Sequence, residues 1–225
     1  MRIRLKVCCI SSHDEVNCAV QLGASALGFV SHMPSGPGVV SDEQISAMVS
    51  AVPAAVSRFL LSSRTAADDV IEHVLAARVD TLQLVDEVPP EVYTALRQRA
   101  PHVRIVQVVH MNGAHVLDQA LSIAGSVDAL LLDSGRPNAT RRELGGTGRV
   151  HDWKVSRRVV ESTQKPVFLA GGLTPENVAR AIDVVGPFGV DVCSGVRSGG
   201  RLDARKLEAL VAAIARAGLE YAHAN

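Results

Sequence analysis

The stretch Ile3-Arg4-Leu5-Lys6-Val7-Cys8-Cys9-Ile10-Ser11-Ser12 runs from an apolar segment into a turn that holds no glycine. Residues 3–8 read as a strand, and residues 14–22 follow with the apolar spacing of an amphipathic helix. A strand that feeds a helix opens a parallel α/β sheet, which either stays open and doubly wound or closes into a barrel. The open form usually carries a glycine-rich dinucleotide turn after its first strand. The turn Cys8-Cys9-Ile10-Ser11-Ser12 offers nothing of that kind, so the barrel is favoured.

The same unit repeats outward from this point. Apolar strand-like runs fall at residues 3–8, 26–30, 57–61, 81–84, 103–109, 129–132, 167–170 and 190–193. Helix-period segments lie between and after them, at residues 14–22, 42–51, 66–76, 90–100, 115–124, 152–162, 175–185 and 204–217. The strand runs are continuously apolar, which means both faces are buried, as in a parallel sheet with helical crossovers. Ser41 before Asp42-Glu43, and Thr174 before Pro175-Glu176, read as helix N-caps. Eight such units in 225 residues fit one α/β domain, a (β/α)8 TIM-type barrel over residues 1–225. One long loop, residues 134–149, precedes the sixth helix, and loops of that length are often functional.

Composition removes several classes of function. Hydrophobic residues make up 47%, too many for a disordered chain, and aromatics only 3%, so the core is built from aliphatic side chains. Lys plus Arg and Asp plus Glu number 23 each, without a basic run, which argues against nucleic acid or an acidic membrane as partner. No apolar run reaches the roughly 18 residues of a membrane span. Cys8, Cys9, Cys18 and Cys193 match no zinc spacing, and the basic start leads into a strand instead of a signal core. The expectation is a cytoplasmic protein with reduced thiols and no metal.

In a barrel, chemistry gathers at the C-terminal ends of the strands. Cys8-Cys9 stands at the end of strand one and Asp133-Ser134 at the end of strand six. Gly171-Gly172 ends strand seven and Ser194-Gly195 ends strand eight. Glycines let backbone N–H groups approach a phosphate, and the turns after strands seven and eight are the habitual phosphate site of barrels. Alone, Cys8 would be a small buried hydrophobe and Asp133 a loop carboxylate. Together at one mouth they form a thiol/carboxyl pair suited to acid/base work.

These blocks resemble the phosphoribosylanthranilate isomerase family. Lys6-Val7-Cys8-Cys9-Ile10-Ser11 is similar to that family's Lys-Ile-Cys-Gly-Ile-Thr opening. Leu131-Leu132-Asp133-Ser134 with Gly145-Gly146-Thr147-Gly148 and His151-Asp152-Trp153 resembles its Leu-Leu-Asp-Ser, Gly-Gly-Thr-Gly and Phe-Asp-Trp block. Leu169-Ala170-Gly171-Gly172-Leu173 and Gly189-Val190-Asp191-Val192-Cys193-Ser194-Gly195-Val196 match two further family segments, the second with Ser in place of Cys193. The resemblance implies an Amadori rearrangement of N-(5-phosphoribosyl)anthranilate in tryptophan synthesis. Asp133 would be the acid and Cys8 the base. Gly171, Gly172, Ser194 and Gly195 would hold the phosphate, and Gln83, His110, Gly146 and Arg197 are further substrate contacts. It implies no cofactor, a small phosphorylated molecule as the partner, and a monomer or homodimer.

The chain departs from the family pattern on one side of the site. Cys9 replaces Gly, and Gly38 stands where the family's Arg is taken to hold the anthranilate carboxylate. Losing a charged hydrogen bond of that sort costs about 1.5–3 kcal/mol. Val85-Asp86 replaces His-Gly, His110 replaces a frequent Arg, and Arg197 replaces Glu. His110 reads either as a ligand contact or as a satisfied barrel-mouth histidine. Arg197 reads either as a substitute cation or as a solvated loop residue. Three functions therefore stand side by side: the isomerase with a rearranged carboxylate contact, a related isomerase of another sugar phosphate, and a non-catalytic phosphate-binding barrel.

Overall fold

The computed structural model describes residues 3–33, 37–113, 115–135 and 150–224. Strands and helices alternate: β1 (Arg4–Val7), α1 (His13–Gln21), β2 (Ala26–Val30), α2 (Asp42–Ser50), β3 (Ser57–Ser62), α3 (Ala67–Ala77), β4 (Thr81–Leu84) and α4 (Pro90–Arg99). They continue with β5 (Arg104–His110), α5 (Val116–Ala124), β6 (Ala129–Asp133), α6 (Trp153–Ser162), β7 (Val167–Leu169), α7 (Val178–Val185) and β8 (Gly189–Val192). A single 3-10 turn (Ser194–Val196) and a two-stranded ribbon of β9 (Arg197–Ser198) and β10 (Arg201–Leu202) lead into α8 (Ala204–Ala224).

The first eight strands close into a barrel, with β1 paired in parallel to both β2 and β8. Because each of these eight strands has a neighbour on both sides, the barrel itself leaves no edge to pair with another chain. The aliphatic composition sorts into two cores. The larger lies between strands and helices and is made mainly of Val, Leu, Ile and Ala. The smaller fills the barrel and includes Ala26, Phe59, Val106, Ala129 and Phe168. Phe168 meets Phe59 edge-on with ring centroids 6.0 Å apart, and meets Phe188 at 5.4 Å. Half of the chain's four phenylalanines thus plug the barrel floor together with a third beneath them, so the interior is a packed core and not a channel.

The expected cap at Ser41 is present as a full capping box with Gln44. The expected cap at Thr174 is not. Helix α7 starts only at Val178, because Thr174 to Asn177 form a turn braced by the Asn177 side chain. Asn177 Oδ1 accepts from the Thr174 N–H at 2.9 Å, and its Nδ2 donates to the Gly172 carbonyl at 2.9 Å. The Thr-Pro-Glu run copies a helix start but is used to shape the β7 turn.

Candidate active site

Successive side chains of a strand point to opposite faces, and the ladder registers fix which ones enter the barrel. Phe59 and Leu61 of β3 belong to the inner core, and their β4 partners are Thr81 and Gln83. Val106 and Val108 place His110 on the inner face of β5, and Ala129 and Leu131 place Asp133 there on β6. Gly189 pairs with the inner Phe168, so Asp191 faces inward too. Lys6 pairs with Asp191, and Cys8 follows it in phase.

Lys6 is fully buried, with Nζ 2.9 Å from Asp191 Oδ1 and 5.2 Å from the centre of the Phe59 ring. Burial works against its charge, but Asp191 and then Cys8 hold the ammonium above its ordinary range. Burial pushes the Asp191 carboxyl up, against the pull of Lys6. The 2.9 Å contact favours the ionised pair, since Lys6 needs an anion once it is charged out of water. This ammonium lies beside Cys8: a Cβ placed on Gly28 of β2 would sit 2.9 Å from Cys8 Sγ and 3.0 Å from Lys6 Nζ. Gly28 thus keeps β2 clear of the thiol.

The Cys8 thiol is held below its ordinary range, first by the Cys9 thiol, which hydrogen-bonds to it, and then by Lys6, against the effect of burial. Cys9 is pushed well above its ordinary range by the Cys193 and Cys8 thiols and by burial. Of the two adjacent thiols, Cys8 is the one poised to be an anion. Cys9 adopts φ 65°, a left-handed conformation rare for a residue with a Cβ. Gly38 packs directly on it: a Cβ at position 38 would lie 2.6 Å from Cys9 Cβ and 2.8 Å from its carbonyl oxygen. The two departures at positions 9 and 38 therefore meet in space. With Cys9 in this conformation, a side chain at 38 has no room.

Arg197 is neither a solvated loop residue nor an open cation. It is buried, and its guanidinium forms a bidentate pair with Glu15, with contacts of 2.9 and 3.1 Å. It also donates to the carbonyls of Gly200 at 2.9 Å, Cys8 at 3.3 Å, and Cys9. Glu15 accepts further from the N–H groups of Ser11 and Leu202, both at 2.9 Å. Despite burial, Arg197 and these N–H groups hold the Glu15 carboxyl below its ordinary range. The expected substrate contact is corrected accordingly, because every direction of this fork is taken except Nε, which is buried without a partner.

Across the mouth, burial pushes the Asp133 carboxyl up, opposed by a 2.7 Å hydrogen bond from the Ser134 N–H. Its ladder partner is His110, whose Nε2 lies 2.9 Å from the Val85 carbonyl oxygen. Gln83 is buried on the neighbouring strand.

The turns after β7 and β8 form one unit. Gly171 and Gly172 take φ of 85° and 62°, which glycine adopts without strain. A Cβ on Gly195 would lie 1.9 Å from the Leu173 carbonyl oxygen, so the β8 turn rests on the β7 turn with backbone against backbone. Beside them His151 bonds through Nε2 to Ser156 Oγ at 2.7 Å, and burial takes its imidazole down to about 4, which keeps it neutral.

The expected residues Cys8, Asp133, Gly171, Gly172, Ser194, Gly195, Gln83 and His110 all stand at the C-terminal ends of the barrel strands. Gly146 lies outside the described residues. Lys6, Asp191, Gly28, Glu15 and Asn177 were not singled out from the sequence as site residues. Among the described residues no group of three or more His, Cys, Asp or Glu side chains could hold a metal ion, and no helix is long and apolar enough to cross a membrane. The four cysteines are free thiols.

Residues 5–213 match the family model of N-(5'-phosphoribosyl)anthranilate isomerase. The isomerase of Methanocella arvoryzae is 33% identical over 196 residues, covering 87% of this chain and 89% of that protein. The phosphoribosylanthranilate isomerase of Thermus thermophilus superposes with a TM-score of 0.80 at 29% identity, over 95% of this chain and 99% of that one. A further isomerase structure, in complex with reduced 1-(o-carboxyphenylamino)-1-deoxyribulose 5-phosphate, has a TM-score of 0.76 at 26% identity over 95% and 99% of the two chains. With its sequence matched almost end to end and its barrel closed in the same way, this chain belongs to the N-(5'-phosphoribosyl)anthranilate isomerase family.

Proposed function

We propose that the protein converts N-(5'-phosphoribosyl)anthranilate into 1-(o-carboxyphenylamino)-1-deoxyribulose 5-phosphate, a step of tryptophan biosynthesis. One observation carries the reading: at a single barrel mouth a thiol is held below its ordinary range while a carboxyl is held above its own. A base that loses its proton easily and an acid that keeps one are what this isomerisation needs. Asp133 donates its proton to the ring oxygen of the ribose, the bond from that oxygen to C1 breaks, and a Schiff base forms between C1 and the aryl nitrogen. The Cys8 thiolate removes the proton from C2. The enolamine that results takes up a proton at C1 and loses the one on the C2 hydroxyl, which gives the ketose.

The β7 and β8 turns hold the phosphate through backbone N–H groups, with Gly171, Gly172, Ser194 and Gly195 leaving them uncovered. Residues 1–225 act as one barrel domain in the cytoplasm, as a monomer or homodimer, on a small phosphorylated molecule. The neutral His151 next to Gly171 places no fixed positive charge there, which leaves the backbone N–H groups to receive the phosphate.

The test is loss of substrate fluorescence with N-(5'-phosphoribosyl)anthranilate formed in situ. Cys8→Ser and Asp133→Asn are expected to lower kcat by roughly 10²–10⁴-fold each, the usual worth of a general base or acid. Turnover at the wild-type rate in both variants would remove the pair from the mechanism.

A further inference from the structure

The chemistry above uses Cys8, Asp133 and the phosphate turns, and leaves Gln83 and His110, both buried on the mouth, without work. Gln83 is 3% exposed and His110 8% exposed, and Gln83 Oε1 and His110 Nδ1 have no hydrogen-bond partner. Buried polar atoms are seldom left unpaired, and an exception at a site points to a ligand. His110 Nε2 faces a carbonyl oxygen, which only accepts, so Nε2 carries the hydrogen and Nδ1 is the open position of the ring.

Their place in the barrel says what part of a substrate they meet. In the closed eight-strand ring β4 stands opposite β8, and β3 opposite β7. A substrate anchored by phosphate at the β7 and β8 turns, with its sugar over Cys8 and Asp133, carries its aryl end to the wall made by β3, β4 and β5. That aryl group bears an ortho carboxylate, as in the ligand of the related isomerase structure. We propose that His110, as imidazolium, and Gln83 together receive this carboxylate. The inference rests on the function proposed above.

Three cations near the mouth, among the described residues, are already engaged. Gly38 has no side chain, and Cys9 leaves no room for one. Lys6 is bonded to Asp191, Arg197 to Glu15, and Arg64 to Asp42 at 3.2 Å. His110 becomes a cation by taking a proton at Nδ1, and that N–H then donates to one carboxylate oxygen. The Gln83 amide donates to the other through Nε2. Turning the amide to do so breaks no hydrogen bond at Oε1, since that atom makes none. The carboxylate and one proton therefore bind together. The ionisable neighbour of His110 across the ladder is Asp133, with Lys6 and Asp191 deeper in the barrel, while β4 offers Gln83 and the Val85 carbonyl.

The experiment is calorimetric titration of the full chain near neutral pH, in two buffers of different ionisation enthalpy. The probes are reduced 1-(o-carboxyphenylamino)-1-deoxyribulose 5-phosphate and the same compound without its carboxylate. The wild type is expected to bind the carboxylated probe about 10- to 100-fold tighter, the worth of a charged hydrogen bond, with uptake of close to one proton. His110→Asn is expected to lose most of that preference and the proton uptake, and to raise KM more than it lowers kcat. Asp133→Asn should retain the uptake, which separates His110 from its neighbour. Gln83→Met should lose part of the preference but keep the uptake. Equal affinity of the variants for the decarboxylated probe shows that they are folded. A His110→Asn protein that keeps both the preference and the uptake overturns the carboxylate site while leaving the isomerase reading intact. A wild type that binds neither probe overturns both.

Discussion

At the scale of single residues, Cys9 has the clearest consequence. Its thiol is the leading reason that Cys8 ionises early, and its left-handed backbone is strained for any residue but glycine. Cys9→Gly relieves the strain and removes the hydrogen bond at once. The limb of kcat/KM against pH that follows ionisation of Cys8 is expected to move to higher pH in this variant. A limb at the wild-type position would show that the Cys9 thiol does not set the ionisation of Cys8. The limb that follows Asp133 should stay in place, because its cause is burial on the far strand. Cys8 and Asp133 were legible in the sequence because each stands at a strand end and carries chemistry by its type. Lys6 was not, because which face it takes depends on its ladder with Asp191, 185 residues away.

At the scale of elements, the strands were readable to within about a residue, since continuous apolar runs and buried parallel strands are the same thing. The start of α7 was misread because Thr174-Pro175-Glu176 satisfies the local rule for a helix start, while the structure uses Asn177 to tie the turn. Arg197 was misread for a non-local reason: its partner Glu15 lies in α1, 182 residues earlier. The pair joins the turn after β1 to the ribbon after β8. Arg197→Met leaves a buried carboxylate without its partner, at a cost of about 3–5 kcal/mol. For a chain of this size that is a fall in Tm of roughly 10 °C. Glu15 is depressed in the folded state, so its contribution is complete above the ordinary carboxylate range and fades as pH falls through the lowered value. Thermal unfolding at neutral and acid pH checks both points: the wild type and Arg197→Met should differ most at neutral pH and converge as the solution is acidified.

At the scale of the whole molecule, floor and mouth have separate duties. The aromatic plug of Phe59, Phe168 and Phe188 lies at the end of the barrel away from Cys8 and Asp133. Phe168→Ala is expected to cost about 3–5 kcal/mol through the cavity it opens. The protein that remains folded should show an unchanged KM, and a large rise in KM would mean that the floor reaches the ligand. The mouth itself is divided in a way that bears on descent. Gly195 lies so close to Leu173 that the turns after β7 and β8 are geared together, and a change in either must be answered in the other. The opposite wall has no such gearing: Gln83 and His110 stand on separate strands and share no bond. Selection can therefore revise the aryl end one residue at a time while the phosphate end is inherited whole, and new substrates for this barrel should differ from the old one in the aglycone before they differ in the sugar phosphate.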